Sequence, residues 1–261
     1  MVRRPLGNHH HGPDTLLVTS DTAQPHLVTE QSPALQGLIT SAKVVLWDFD
    51  GPICSLFARH SAQQVAGDLR QWLDRQGLRD LVPDAAQESP DPHELLRAVD
   101  RRRPGSYMVG ELEERLTGEE LLAAATAMPT AYADPLIRTW TAVGSRLAVT
   151  SNNSGRAVRA YLESRGLLGC FVPHIYGRTQ DIGRLKPDPY CLNRALTAMG
   201  AAPATAVMIG DAPTDFTAAS RTGVPFIGYA TSEERLKELR NAGAEVVVTS
   251  LEPLLCALRD G

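Results

Sequence analysis

Four short segments of the 261-residue chain place reactive side chains beside strand ends or helix starts. The first is Asp48-Phe49-Asp50-Gly51-Pro52, with two carboxylates two residues apart. On a continuing strand they would share one face, but Gly51 lets the chain turn and aim them differently. One carboxylate can then attack while the other shuttles a proton. The second segment, Thr150-Ser151-Asn152-Asn153, leads into a helix-like stretch from Ser154, and its hydroxyl and exposed N–H groups make an anion cradle. The third, Arg184-Leu185-Lys186-Pro187-Asp188-Pro189, stiffens the backbone with two prolines and presents the ammonium of Lys186. The fourth, Ile209-Gly210-Asp211-Ala212-Pro213-Thr214-Asp215, carries two carboxylates four residues apart after a tight Gly turn, with Asp211 where a hard cation could bind.

The elements that must position these groups are legible in the apolar pattern. Val44-Val45-Leu46-Trp47, directly before Asp48, is a short continuous apolar run of the kind that forms a strand buried on both faces. Similar runs recur at 146–150, 204–209, 225–229 and 244–248, separated by amphipathic stretches. This alternation predicts an α/β fold, a parallel sheet with helices on both faces whose carboxyl edge gathers the four segments. Between the first two strands the chain reads as helical throughout: Val65, Leu69, Trp72, Leu73 and Leu78 fit one helical face, and helical patterns continue at 93–99, 118–126 and 134–143. That stretch is too long for a crossover and too apolar for a loop, so a small inserted helical domain is expected over the sheet edge. The expected division is a core of residues 41–56 and 141–261, a helical insertion of 57–140, and an N-terminal arm of 1–40 without stable structure.

Composition excludes several other classes. The balance of 26 Lys+Arg against 30 Asp+Glu gives a net charge of −4, no broad attraction for phosphodiester backbones or anionic lipid. Neither a nucleic-acid nor a membrane role is expected. The four cysteines, Cys54, Cys170, Cys191 and Cys256, form no C-x-x-C pair and no zinc spacing, which fits a reducing, cytoplasmic setting. The cations are 23 Arg and three Lys (Lys43, Lys186 and Lys237), a skew that matches a GC-rich bacterial genome. Of these lysines only Lys186 lies within one of the four segments.

Taken together, the order and spacing of the four segments resemble the motifs of the haloacid dehalogenase-like (HAD) superfamily, in its phosphoglycolate-phosphatase-like branch, over about residues 42 to 260. The resemblance implies a Rossmann-like core with an inserted helical cap and a Mg²⁺-dependent phosphatase acting on a small organic phosphate ester through an aspartyl-phosphate. It implies Asp48 as nucleophile, Asp50 as general acid/base, and Ser151 with the Asn152 backbone as the phosphoryl clamp. Lys186 steadies nucleophile and phosphate; Asp48, Asp211 and the Asp50 carbonyl are the implied metal ligands, with Asp215 behind them. Pro52 departs from the Thr common at its position in that motif. A phosphosugar mutase shares every motif, and a non-catalytic binding or regulatory protein is a further alternative. A dehalogenase needs neither Asp50 nor Asp211, and a phosphonate-cleaving relative needs a cap lysine, of which the stretch between Lys43 and Lys186 has none. Phe57, Arg59, His60 and the Arg101-Arg102-Arg103 run are candidate substrate contacts.

Overall fold

The computed structural model describes residues 33–259. It opens with helix α1 (Pro33–Ser41), then strands β1 (Val44–Trp47) and β2 (Cys54–Ser55). Four helices follow: α2 (Ala62–Arg75), α3 (Asp84–Glu88), α4 (Pro92–Arg102) and α5 (Tyr107–Thr126). The chain returns through β3 (Met128–Pro129) and α6 (Ala133–Ala142) to the long strand β4 (Arg146–Ser154). After it come α7 (Gly155–Ser164), α8 (Leu168–Phe171), β5 (Ile175–Arg178) and α9 (Tyr190–Met199). The remainder alternates: β6 (Ala206–Gly210), α10 (Pro213–Thr222), β7 (Phe226–Tyr229), α11 (Glu233–Ala242), β8 (Val247–Val248) and α12 (Glu252–Arg259).

Six strands pair in parallel in the order β5-β4-β1-β6-β7-β8, the α/β fold expected from the alternating pattern. All four residues of β1 are buried, because this strand lies mid-sheet with helices on both faces. It pairs with β4 on one side and β6 on the other, with Trp47 opposite both Val149 and Ile209. The chain winds outward in opposite directions from that point, so the carboxyl ends of β1, β4 and β6 border a crevice. The segments from Asp48, Ser151 and Asp211 begin at that edge. One face of the sheet is covered by a core that includes Trp47, Trp140, Tyr161 and Phe171, the other by Leu46, Met208, Leu192 and Phe226.

Helices α2, α4 and α5 share a third apolar core, built from Val65, Leu69, Trp72, Leu73, Leu95, Leu96, Val99, Leu112 and Leu116. Ser61 accepts a hydrogen bond from the Gln64 N–H and Asp91 from the His93 N–H, capping α2 and α4. Cys54–Ser55 and Met128–Pro129 pair antiparallel where the chain leaves and rejoins the sheet layer.

The structure differs from the sequence reading at two boundaries. Helix α6, assigned to the 57–140 insertion, packs under the main sheet: Leu136, Ile137 and Trp140 join the Trp47 core, and the Trp47 and Trp140 rings meet edge to face at 5.7 Å. Its apolar spacing is that of any amphipathic helix, and spacing does not say which core the face joins. Residues 33–40, assigned to the arm, belong to α1, which buries Leu35 and Ile39 against the same core. The rest of the arm, including His9-His10-His11, lies outside the described residues. Among the described residues no helix is long and apolar enough to cross a membrane, and the four cysteines are free.

Candidate active site

The four segments meet in one cavity of about 900 Å³, lined by Asp48, Asp50, Asn152, Asn153, Lys186, Asp211 and Asp215. Its opposite wall comes from the helical insertion and its approach: Phe57, Ala62, Pro92, His93 and Arg97. Asp48 follows β1, where its N–H donates to the Ile209 carbonyl at 2.8 Å and so continues the ladder one residue beyond the strand. The turn after it depends on Gly51, whose φ of 110° lies in the left-handed region. A Cβ at Gly51 would stand 2.5 Å from Asp211 Cγ, so this glycine also lets the first and fourth segments touch.

Lys186 is buried to 1% exposure at the centre of the site. Its Nζ donates to Asp48 Oδ1 at 2.7 Å and to the Thr150 carbonyl at 2.9 Å, and lies 2.6 Å from Asp215 Oδ1. Burial works against its charge, but Asp215 and Asp48 beside it more than restore it and hold its pKa above the ordinary lysine value. The peptide Lys186-Pro187 is cis. Asp50 lines the same cavity without touching Lys186, and its Oδ1 accepts the Leu56 N–H at 2.8 Å. Desolvation, with smaller repulsion from Asp48, raises its pKa to about 6 against the pull of that hydrogen bond and of His93.

Asp48, Asp211 and Asp215 each bring a carboxylate oxygen within 4.8 Å of the others, an oxygen donor set suited to a hard divalent cation. Asp215 is already committed: its Oδ1 meets Lys186, and its Oδ2 accepts the N–H groups of Asp211 and Ala212, each at 3.1 Å. That leaves Asp48 and Asp211 as the carboxylates best able to hold the ion. Burial first, then the charges of Asp215, Asp48 and Asp50, push the Asp211 carboxyl well above its usual pKa. The donor set therefore fits Mg²⁺: a pocket with too many carboxylates for its one ammonium is short of positive charge where a dication would sit.

Ser151 is nearly fully buried, and its hydroxyl donates to Asn153 Oδ1 at 3.0 Å. The Asn152 side chain has a use the sequence did not announce. It accepts the Lys186 N–H at 2.7 Å and donates to the Lys186 carbonyl at 3.3 Å, joining the second segment to the third. Arg97 of α4 donates to the same carbonyl at 2.7 Å. Of the other candidate contacts, Phe57 lines the cavity. His60 instead lies 2.6 Å from Glu119, and neither it, Arg59 nor the Arg101–Arg103 run is among the cavity-lining residues.

Sequence reading missed a buried charge network beside the site. Glu120 of α5 has no exposure; Arg178 at the end of β5 donates to its Oε1 at 2.8 Å and its Oε2 at 2.9 Å. Arg178 also donates to Thr117 Oγ1 at 2.9 Å and to Glu113 at 3.0 Å. His93 places Nε2 3.3 Å from Glu120 and Nδ1 3.1 Å from Asp91. Burial opposes both charges, yet the partners prevail: Arg178 and His93 draw Glu120 down to about 2, and Asp91 and Glu120 lift His93 to about 9.

Comparison with known proteins agrees with this geometry. Residues 42–223 match the family model for haloacid dehalogenase-like hydrolases. A phosphoglycolate phosphatase from Rhodospirillum rubrum is 36% identical over 120 residues, which cover 45% of this chain and 48% of that protein. The chain thus spans about half the length of the curated relative it matches. In overall fold it resembles CbbY from Rhodobacter sphaeroides, solved with phosphate (TM-score 0.63, 20% identity, 84% of this chain and 99% of that one). It also resembles a predicted phosphatase from Clostridium acetobutylicum (TM-score 0.62, 19% identity, 84% and 98%). With a family match that spans all four segments, and those segments assembled at one sheet edge, the chain belongs to the haloacid dehalogenase-like hydrolases.

Proposed function

We propose that the protein is a Mg²⁺-dependent phosphatase that hydrolyses a small organic phosphate monoester through an aspartyl-phosphate on Asp48. The observation that carries this reading is the buried Lys186 ammonium, 2.7 Å from Asp48 Oδ1, in a cavity that also receives Asp50 and Asp211. A phosphate monoester is a dianion, and a carboxylate attacks it only where positive charge offsets the repulsion between them. Lys186 supplies part of that charge; Mg²⁺ held by Asp48, Asp211 and the Asp50 carbonyl would supply the rest as a Lewis acid.

Lys186 fixes one oxygen of Asp48, which leaves the other to attack phosphorus as the bond to the ester oxygen breaks. Asp50 gives its proton to the departing alkoxide. It then takes a proton from the water that attacks the phosphoryl group on Asp48, which frees inorganic phosphate and regenerates the carboxylate. A pKa near 6 suits a group that must be acid in one step and base in the next. Ser151, with the Asn152 backbone, clamps the phosphoryl oxygens. Helices α2, α4 and α5 act as the cap that shields the reaction from water and, through Phe57 and the face of α4, selects the alcohol. Free cysteines fit a cytoplasmic setting.

The test is phosphate release from an aryl phosphate with and without Mg²⁺, with Asp48→Asn as control. Metal-dependent release abolished in the variant supports the reading. Release no faster than that of the variant contradicts it.

A further inference from the structure

We propose that Glu120, on helix α5 of the insertion, is a positioning residue for the Ser151 hydroxyl, and that through it the insertion shapes the phosphoryl clamp. The proposal rests on the phosphatase reading for what Ser151 does, but on separate observations for what holds it.

The clamp is a bulge. Thr150 of β4 pairs with Tyr176 of β5 and Ser154 with Arg178, so Ser151, Asn152 and Asn153 together face the single residue Gly177. A Cβ on Gly177 would fall 2.5 Å from Gly155 N and 2.7 Å from the Asn153 carbonyl, so glycine is required opposite the bulge. Residues pushed out of a ladder must find other hydrogen-bond partners. Here the Glu120–Arg178 pair provides them. Arg178 Nη1 donates to the Asn152 carbonyl at 3.0 Å. Glu120 Oε2 accepts the Ser154 N–H at 2.9 Å, and Oε1 accepts the Asn153 side-chain amide at 3.1 Å.

That last bond fixes which way the Asn153 amide points, with Oδ1 turned to the Ser151 hydroxyl, while the Asn153 N–H donates to Ser151 Oγ at 3.2 Å. Ser151 Oγ is therefore held from two sides by a residue whose own orientation is set by Glu120. When a phosphoryl oxygen arrives, the hydroxyl hydrogen turns to it by rotation about Cβ–Oγ, and Oγ keeps its place through the Asn153 N–H. Helix packing alone asks only for an apolar residue at position 120. A carboxylate with no exposure, one oxygen on the Asn153 amide and the other on the Ser154 N–H, does more than packing requires.

The experiment is a double-mutant cycle on the full chain, with kcat and KM for an aryl phosphate in Mg²⁺ and inhibition by orthovanadate. Ser151→Ala and Glu120→Gln are each expected to lower kcat/KM about tenfold or more and to weaken vanadate inhibition. In the Ser151→Ala background, Glu120→Gln should cost less than about twofold, because its effect passes through the missing hydroxyl. A purely structural Glu120 would lower the melting temperature and leave the cycle additive. Should Glu120→Gln fail to fold, Asn153→Ala cuts the same relay with the ion pair intact, and the same non-additivity with Ser151→Ala is expected of it. Additive effects, or wild-type kcat/KM in Glu120→Gln, overturn the proposal alone; an inert wild type overturns the phosphatase reading and this proposal with it.

Discussion

Two buried clusters of charge lie side by side in this molecule and are built on opposite plans. Around Glu120 each carboxylate has a cation: Arg178 binds both Glu120 oxygens, His93 lies between Glu120 and Asp91, and these partners draw the Glu120 carboxyl down to about 2 even though the two cations approach each other to 3.3 Å. Around Lys186 the charges do not balance. One ammonium meets Asp48 and Asp215 directly, Asp211 and Asp50 crowd in beside them, and both of the latter have raised pKa values. Satisfied ions hold a shape, whereas an unsatisfied surplus of carboxylates is a place kept for cations and for proton traffic.

The difference predicts opposite responses to neutralisation, largest first. Glu120→Ala takes the shared carboxylate from the buried Arg178 and His93, leaving Arg178 the Glu113 carboxylate alone, and should lower unfolding stability by about 3–5 kcal/mol, measured by urea denaturation. Asp211→Asn removes a crowded negative charge, so in chelator it should be at least as stable as wild type while Mg²⁺-dependent activity disappears. A clear loss of stability in that variant would mean that the charges around Lys186 are matched after all.

The pH dependence of stability should separate the two clusters as well. Glu120 is depressed from 4.5, so its contribution is complete above about 4.5 and fades as pH falls toward about 2. His93 is raised from 6.5, so its contribution is complete below about 6.5 and is lost as pH rises through about 9. Asp50 is a carboxyl raised from 3.8 to about 6, so in chelator its share of stability is present below about 3.8 and is lost as pH rises through about 6. In melting temperatures followed across pH in chelator, Asp50→Asn should flatten the loss of stability as pH rises from about 4 to about 6, and His93→Asn the loss as pH rises from about 6.5 to about 9. The smallest effect belongs to the partly exposed His60–Glu119 pair, where His60→Ala should change stability by less than about 1 kcal/mol and leave kcat/KM unchanged.

The matched cluster was also the one hidden from sequence reading. Asp48, Asp50 and Asp211 lie at the ends of buried strands beside Gly turns, and Lys186 stands before the Pro187 and Pro189 pair, positions where a polar residue has few other reasons to sit, and so their types and spacing announced them. Glu120 sits in Gly118-Glu119-Glu120-Leu121, which reads like any solvated helix face, and nothing in its type tells that it faces inward while Glu119 faces out. Arg178 closes Ile175-Tyr176-Gly177-Arg178, a run too short and too broken by glycine to stand out as the edge strand it is. The parallel sheet was legible because its central strands are continuously apolar. The membership of α6 was not, since its helical face matches the core and the insertion equally well, and only packing chooses.

The central claim is that the unbalanced cluster transfers a phosphoryl group to Asp48, and a rapid-quench measurement reaches it most directly. Wild-type protein mixed with Mg²⁺ and an aryl phosphate, stopped in acid within a turnover and digested, should yield the peptide bearing Asp48 heavier by one phosphoryl group. The adduct should be absent from Asp48→Asn and should accumulate in a variant slowed at hydrolysis, Asp50→Asn. Steady phosphate release with no adduct on that peptide in either wild type or Asp50→Asn would contradict the account.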